Sequence, residues 1–129
     1  MSTLNIHHLG LAVKDLNATT QFFVQVLGFS SVREVPEYPA RFISNGKSFL
    51  TLWQTEPDAA DFNRRKAVGL HHFALAVDSA QALMELFEKA RIFPGVRVEF
   101  SPEALGTSGA RHCMLFEPGG VRLELIWAA

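Results

Sequence analysis

Hydrophobic and polar positions alternate with a period of two along residues 4–13, the pattern of a half-buried strand. Leu9, Leu11 and Val13 fall on one face, and His8, Gly10 and Ala12 on the other. Bulk on the first face suits packing beneath a helix. Small residues and an imidazole on the second suit the lining of a cavity. Asp15 follows as a helix N-cap, and Leu16, Phe23, Val26 and Leu27 keep near-helical spacing over residues 16–27 until Gly28 stops it. Ser30–Val35 reads as a second strand, broken by Pro36 and Pro39. Arg41–Ser44 and Ser48–Thr55 predict a hairpin about the turn Asn45-Gly46. The first module, residues 4–55, therefore reads β-α-β-β-β.

The pattern then returns. Ile6-His7-His8-Leu9-Gly10-Leu11-Ala12-Val13 reappears as Leu70-His71-His72-Phe73-Ala74-Leu75-Ala76-Val77, shifted by 64 positions. The same shift carries Ala18 onto Ala82, Phe23 onto Phe87 and Phe29 onto Phe93. Repetition on this scale means one supersecondary unit built twice. Residues 56–68 are polar, carry the basic run Arg64-Arg65-Lys66, and read as a linker, with that run a solvated turn or a contact for an anionic group. The second module, residues 69–127, predicts a strand over 69–77, a helix over 79–91, a strand over Val96–Phe100 and a loop over Ser101–Ala110. Arg111–Phe116 and Val121–Trp127 close it as a hairpin around Pro118-Gly119-Gly120. The fold class expected is α+β, one domain of two tandem βαβββ modules whose curled mixed sheets enclose a cavity.

Composition narrows the functions. A chain of 129 residues with 48% apolar and 19% charged residues has the make-up of one ordinary globular domain. Its net charge of −1, with acids and bases interleaved, provides no electrostatic footprint for nucleic acid or an anionic membrane. Cys113 stands alone, so no intrachain disulfide forms, and alternation turns it toward the core. No apolar run reaches the ~20 residues of a membrane span, and the first residues lack a signal peptide's basic start and apolar core. A cytoplasmic chain with a small-molecule partner is expected.

Chemistry converges on the terminal strands of the two copies, where Leu50-Thr51-Leu52-Trp53 corresponds to Leu123-Glu124-Leu125-Ile126. Alternation places Thr51 and Glu124 inward, with His8 and His72. Two imidazoles and one carboxylate are the facial set of catalytic divalent metals. Glu124 lies in an apolar strand, where an unpaired carboxylate is strongly penalised, so it needs a partner. A cation is the simplest, and Arg33, Arg41 and Arg111 are the alternatives. His112 alternates with Met114 and Phe116 toward the cavity and is a candidate acid or base, or a polar bystander at its mouth. His7 and His71 point away as hydrogen-bonded structural residues. Trp53, Met114, Phe116 and Ile126 supply an apolar wall; Thr51 and Arg111 complete the candidate substrate contacts.

At these residues the chain resembles the vicinal oxygen chelate superfamily, which includes glyoxalase I, extradiol dioxygenases, methylmalonyl-CoA epimerase and bleomycin-binding proteins. The resemblance is carried by His8-Leu9-Gly10-Leu11-Ala12-Val13 with Phe22-Phe23 and Leu27-Gly28-Phe29. It continues in His72-Phe73-Ala74-Leu75-Ala76-Val77 and in Glu117-Pro118-Gly119-Gly120 with Leu123-Glu124. It implies paired βαβββ modules around one divalent metal (Zn, Ni, Mn or Fe) held by His8, His72 and Glu124. That metal chelates two substrate oxygens and stabilises an oxyanion. Thr51 departs from the pattern, since glyoxalase I has a glutamate there. The reading that follows is a metal-dependent lyase or isomerase of glyoxalase type, with Glu124 or His112 moving a proton. A non-catalytic small-molecule binding protein and an extradiol-type dioxygenase are the alternatives. The resemblance also implies a homodimer whose sites are shared between modules.

Overall fold

The first helix begins where Asp15 Oδ1 accepts the amide of Ala18 at 3.0 Å, satisfying one of the donors that a helix start leaves free. The computed structural model describes residues 2–129. In it, β1 (Leu9–Val13) leads into α1 (Leu16–Gln25), then β2 (Ser30–Val35), β3 (Ala40–Ser44) and β4 (Phe49–Gln54). Gly28 adopts φ +75°, which releases the chain from α1 toward β2 without the strain a side chain would bring. The β3–β4 turn is held by Asn45, whose Oδ1 accepts the amides of Lys47 at 2.9 Å and Ser48 at 2.7 Å.

These strands form one mixed sheet in the order β1-β4-β3-β2, with β1 parallel to β4 and the other pairs antiparallel. Leu11, Val13, Ile43, Leu50 and Leu52 turn to one face and are buried with Leu16, Phe22 and Phe23 of α1. The rings of Phe22 and Phe23 meet edge to face at 5.7 Å. Burial of each such ring stabilises the unit by roughly 1.5–3 kcal/mol. Thr20 also goes inside, its hydroxyl donating to the Leu16 carbonyl at 2.7 Å. Gln54 fastens the β1–α1 connection: its Oε1 accepts from Leu16 N–H at 2.9 Å and its Nε2 donates to the Lys14 carbonyl at 2.7 Å.

The chain divides into two compact units between Ala59 and Ala60. The second repeats the first: β5 (Phe73–Ala76), α2 (Ala80–Arg91), β6 (Arg97–Ala104), β7 (Arg111–Phe116) and β8 (Arg122–Trp127), in the sheet order β5-β8-β7-β6. Ser79 caps α2, accepting from Ala82 N–H at 3.0 Å. Leu83, Phe87 and Ala90 of the helix are buried, as are Cys113, Leu115, Leu123 and Leu125 of the sheet. Glu117 organises the β7–β8 turn, accepting the amides of Gly119 at 2.7 Å and Val121 at 3.0 Å. The Glu-Pro-Gly-Gly motif is therefore a turn with an internal carboxylate lock. No helix among the described residues is long and apolar enough to cross a membrane.

Three elements differ from the sequence reading by more than two residues at an end. β1 starts at Leu9 rather than at residue 4, because its partner β4 begins at Phe49 and Leu9 already pairs with Leu50. Residues 4–8 are exposed. β5 is likewise shorter than 69–77. β6 is longer: it runs through Pro102 to Ala104, where a loop is expected, because register shifts between Val98 and Glu103 accommodate a residue without an N–H.

Candidate functional site

Strand register shows which residues occupy equivalent places. In the first unit Thr51 lies between Gly10 and Phe42; in the second, Glu124 lies between Ala74 and Met114. One residue pair further along, Trp53 lies between Ala12 and Ala40, and Ile126 between Ala76 and His112. Thr51 and Glu124 thus hold the same position in two identical ladders, as the repeat requires.

The second unit gathers the titratable groups. Glu124, with its side chain 11% exposed, reaches His112 Nδ1 through Oε2 at 2.5 Å and His72 Nε2 through Oε1 at 3.3 Å. An ionised carboxylate only accepts, so the short contact assigns the proton to His112 Nδ1. Phe100 stands edge-on to the His112 ring at 4.9 Å and helps fix its plane. The other ring is oriented from behind. Arg122 Nη1 lies 3.4 Å from His71 Nδ1, and His71 Nδ1 lies 2.7 Å from His72 Nδ1. Because the guanidinium can only donate, His71 Nδ1 is the acceptor there, and His72 Nδ1–H donates to it. That tautomer leaves His72 Nε2 with a bare lone pair facing Glu124 Oε1.

Arg122 is itself held by Glu99 through two parallel bonds of 2.9 and 2.7 Å. The hydrogen bonds from Arg122 hold the Glu99 carboxyl below the ordinary carboxylate range, and Glu99 raises Arg122 in return. Partial loss of hydration and the Arg122 charge lower His71. The resulting line of contacts runs Glu99–Arg122–His71–His72–Glu124–His112. The sequence reading missed Glu99 and Arg122. Their only signal is two opposite charges inside apolar strands, and a one-dimensional pattern does not show that they meet.

Met114 is the register partner of Glu124, and Phe116 is the partner of Arg122. Arg111 alternates to the face of Cys113 and Leu115, away from His112, and its guanidinium donates to the Pro102 carbonyl at 3.2 Å. Cys113 is buried, and that burial pushes its thiol up to about 11, which suits packing and not nucleophilic attack. In the first unit, His8 is exposed; its Nδ1 lies 2.9 Å from His7 Nδ1 and its ring 6.0 Å from Phe49. Thr51 is buried, and its hydroxyl accepts from Trp53 Nε1 at 2.9 Å. Phe42 stands 6.2 Å from Phe49 and 5.9 Å from Trp53, and Tyr38 stands 5.1 Å from Trp53. Here the equivalent face is aromatic, and it seals the hydroxyl where the second unit presents a carboxylate.

Does the donor set suit a metal? With metal–nitrogen and metal–oxygen distances of about 2.0–2.2 Å, two donors on one ion stand about 3.0–3.4 Å apart. The His72 Nε2–Glu124 Oε1 spacing of 3.3 Å falls in that range, between two lone pairs with no proton of their own to share. A carboxylate ligand backed by a hydrogen-bond donor, as His112 backs Glu124, is the usual support for such a set. Among the described residues no three or more His, Cys, Asp or Glu side chains are gathered into a ready cage. The second unit itself presents the His72–Glu124 pair.

Residues 5–125 match the model of the Glyoxalase/Bleomycin resistance protein/Dioxygenase superfamily. The chain belongs to that superfamily. It is 28% identical over 127 residues to the uncharacterized protein YwkD of Bacillus subtilis, covering 94% of each chain. It is 29% identical over 131 residues to the mitochondrial methylmalonyl-CoA epimerase of Bos taurus, covering 93% of this chain and 72% of the relative. Its fold matches that of the fosfomycin resistance protein FosX of Listeria monocytogenes, solved with Mn(II) and 1S,2S-dihydroxypropylphosphonic acid. That match has a TM-score of 0.79 at 16% identity and covers 99% of this chain and 95% of the other. The paired βαβββ architecture is thus that of the superfamily.

Proposed function

We propose that this superfamily member is a metal-dependent enzyme of lyase or isomerase type acting on a small oxygenated metabolite. The observation that carries the reading is the Glu124 carboxylate, held between His72 Nε2 and His112 Nδ1 on a largely buried strand. His72 and Glu124, joined by His8, are the residues that would hold one divalent ion (Zn, Ni, Mn or Fe). Such an ion, when bound, supplies Lewis acidity that stabilises negative charge on a substrate oxygen. The chain's own residues supply the rest. Glu124 accepts a proton at a carboxylate oxygen, and His112 holds or returns one at Nδ1, 2.5 Å away. Met114 and Phe100 keep this pair beside apolar surface, which strengthens the charges' interaction. An isomerase among the relatives and a Mn(II) complex among the solved structures support the same reading. We place the protein in the cytoplasm as a homodimer with sites shared between modules, in keeping with the family resemblance.

A second reading, non-catalytic binding of a small molecule, draws its support from the first unit. Its Thr51, Trp53, Phe42 and Phe49 face offers ring surface and a hydroxyl where the second unit has a carboxylate.

Metal analysis of chelator-free protein tests the reading. Stoichiometric metal in the parent and at least hundredfold weaker retention in Glu124→Gln are expected, since the variant loses the anionic donor. A Glu124→Gln protein that holds its metal as the parent does overturns it. Tight small-molecule binding that a chelator leaves untouched would favour the second reading.

A further inference from the structure

The basic run between the modules belongs to a pocket. Asn63 Oδ1 accepts the amides of Arg65 and Lys66, each at 3.1 Å, and this turn fixes the backbone that carries Arg64 and Arg65. Both arginines line a cavity of about 570 Å³ together with Phe62, Arg97, Glu99 and Phe116. The charge in it is unbalanced. Its one carboxylate, Glu99, is already taken up by the two bonds from Arg122, and Arg64 reaches it only at 3.9 Å. Arg65 and Arg97 have no carboxylate within ion-pair distance among the described residues. Arg97 is nonetheless ordered, its Cζ 4.0 Å above the Phe116 ring. Phe62 meets the same ring at 6.3 Å, so the guanidinium rests on an aromatic floor. A planar fork held in place without an ion-pair partner, as Arg97 is, is what bidentate recognition of an oxyanion needs, and Arg65 adds a second charge at the cavity wall.

Position ties the pocket to the carboxylate site. Phe116 and Arg122 are each two residues along their strands from Met114 and Glu124, on the same sheet face, a step of about 7 Å. Glu99 links the two: it lines the pocket and holds Arg122, where the contacts that orient His72 begin. The geometry points to an anion-binding pocket formed by Arg64, Arg65 and Arg97 that takes the oxyanion group, phosphate or carboxylate, of the molecule whose other end reaches Glu124. The assignment of that molecule as substrate rests on the function proposed above; the anion site itself does not. A cavity of about 570 Å³ exceeds a bare anion and leaves room for an organic group against Phe62 and Phe116.

The test titrates metal-free protein with inorganic phosphate and, separately, with malonate, at constant ionic strength, by calorimetry. Saturable binding of at least one anion is expected, and the preferred one identifies the class of the handle. Arg97→Gln and Arg65→Gln each weaken it about tenfold, the loss of one charge-assisted contact. The double variant abolishes it, while Arg33→Gln, in the first unit, leaves it unchanged. Arg65 and Arg97 are exposed, so the variants fold as the parent does, which circular dichroism checks. No saturable binding of either anion by the parent, or undiminished binding by the double variant, overturns the proposal. Glu124→Gln separates the two readings, because it removes metal uptake and leaves anion binding in place.

Discussion

The two units share a ladder and differ in what they hang on it. At the position flanked by Gly10 and Phe42, the first carries Thr51, a neutral hydroxyl closed off by an indole. At the position flanked by Ala74 and Met114, the second carries Glu124, a carboxylate between two imidazoles. The neighbours follow suit. Ala40 in one unit answers to His112 in the other, and Phe49 answers to Arg122. The helix-facing sides stay alike because both must bury leucines and phenylalanines under one helix. The opposite side carries no such packing duty, so it is free to become an aromatic wall in one copy and a charged site in the other. Duplication thus preserves the fold through its packed face and divides the chemistry through the other.

The sharpest way to break this comparison is to remove the support that only the second unit has. His112→Ala leaves Glu124 with one partner, and chelator competition is expected to show metal retention weakened 10–100-fold. Unchanged retention would mean that His112 is a bystander and that the units differ by Glu124 alone. Next in size is Gly10→Ala. A Cβ at Gly10 meets Thr51 Oγ1 at 3.1 Å and Trp53 Nε1 at 3.6 Å, and Thr51 is buried and cannot step aside. The change should cost about 1 kcal/mol by denaturant titration, roughly one hydrogen bond, with a shift in tryptophan emission. Ala74, at the equivalent place beside Glu124, already carries that Cβ. A stabilised Gly10→Ala would show that the Thr51–Trp53 closure is loose.

The smallest effect concerns pH. The Glu99 carboxyl is lowered in the folded state by Arg122, so the folded protein binds fewer protons there than the unfolded chain. Its contribution is complete above the ordinary carboxylate value of 4.5 and is lost as pH falls through the lowered folded value. Stability therefore declines with acid across that window. Glu99→Gln should flatten the decline and cost at most about 1 kcal/mol near neutrality, since the pair is part-exposed. An unaltered acid slope would show that Glu99 does not anchor Arg122 in solution.

Much of this was legible in one dimension. The 64-residue echo, the cap at Asp15 and the Asn45-Gly46 turn are carried by the chain itself, and each appears in the structure as read. Strand alternation likewise put Glu124 and His112 on one face, where they meet. The misses share a cause. How far β1 and β6 run depends on partners and bulges, which are properties of the pairing and not of the strand's own residues. Likewise, that Arg111 donates to the Pro102 carbonyl, nine positions away on the neighbouring bulged strand, is not visible in its spacing.

The sequence by itself determined the repeated βαβββ order, the buried leucine and phenylalanine faces and the superfamily. The first two are written in periods of two and 3.6 and in a few local turns; the superfamily is carried by the resemblance of motifs such as His8-Leu9-Gly10 and Glu117-Pro118-Gly119-Gly120 and is shown by the match over residues 5–125. Only the tertiary structure decided which polar groups meet: Arg122 with Glu99 and His71, Glu124 with both imidazoles, and the linker arginines with Arg97 around one cavity. The physical reason is that periodicity assigns a residue to a face. Hydrogen bonds of 2.5–3.4 Å are settled by register, bulges and rotamers, and these exist only once the strands are paired.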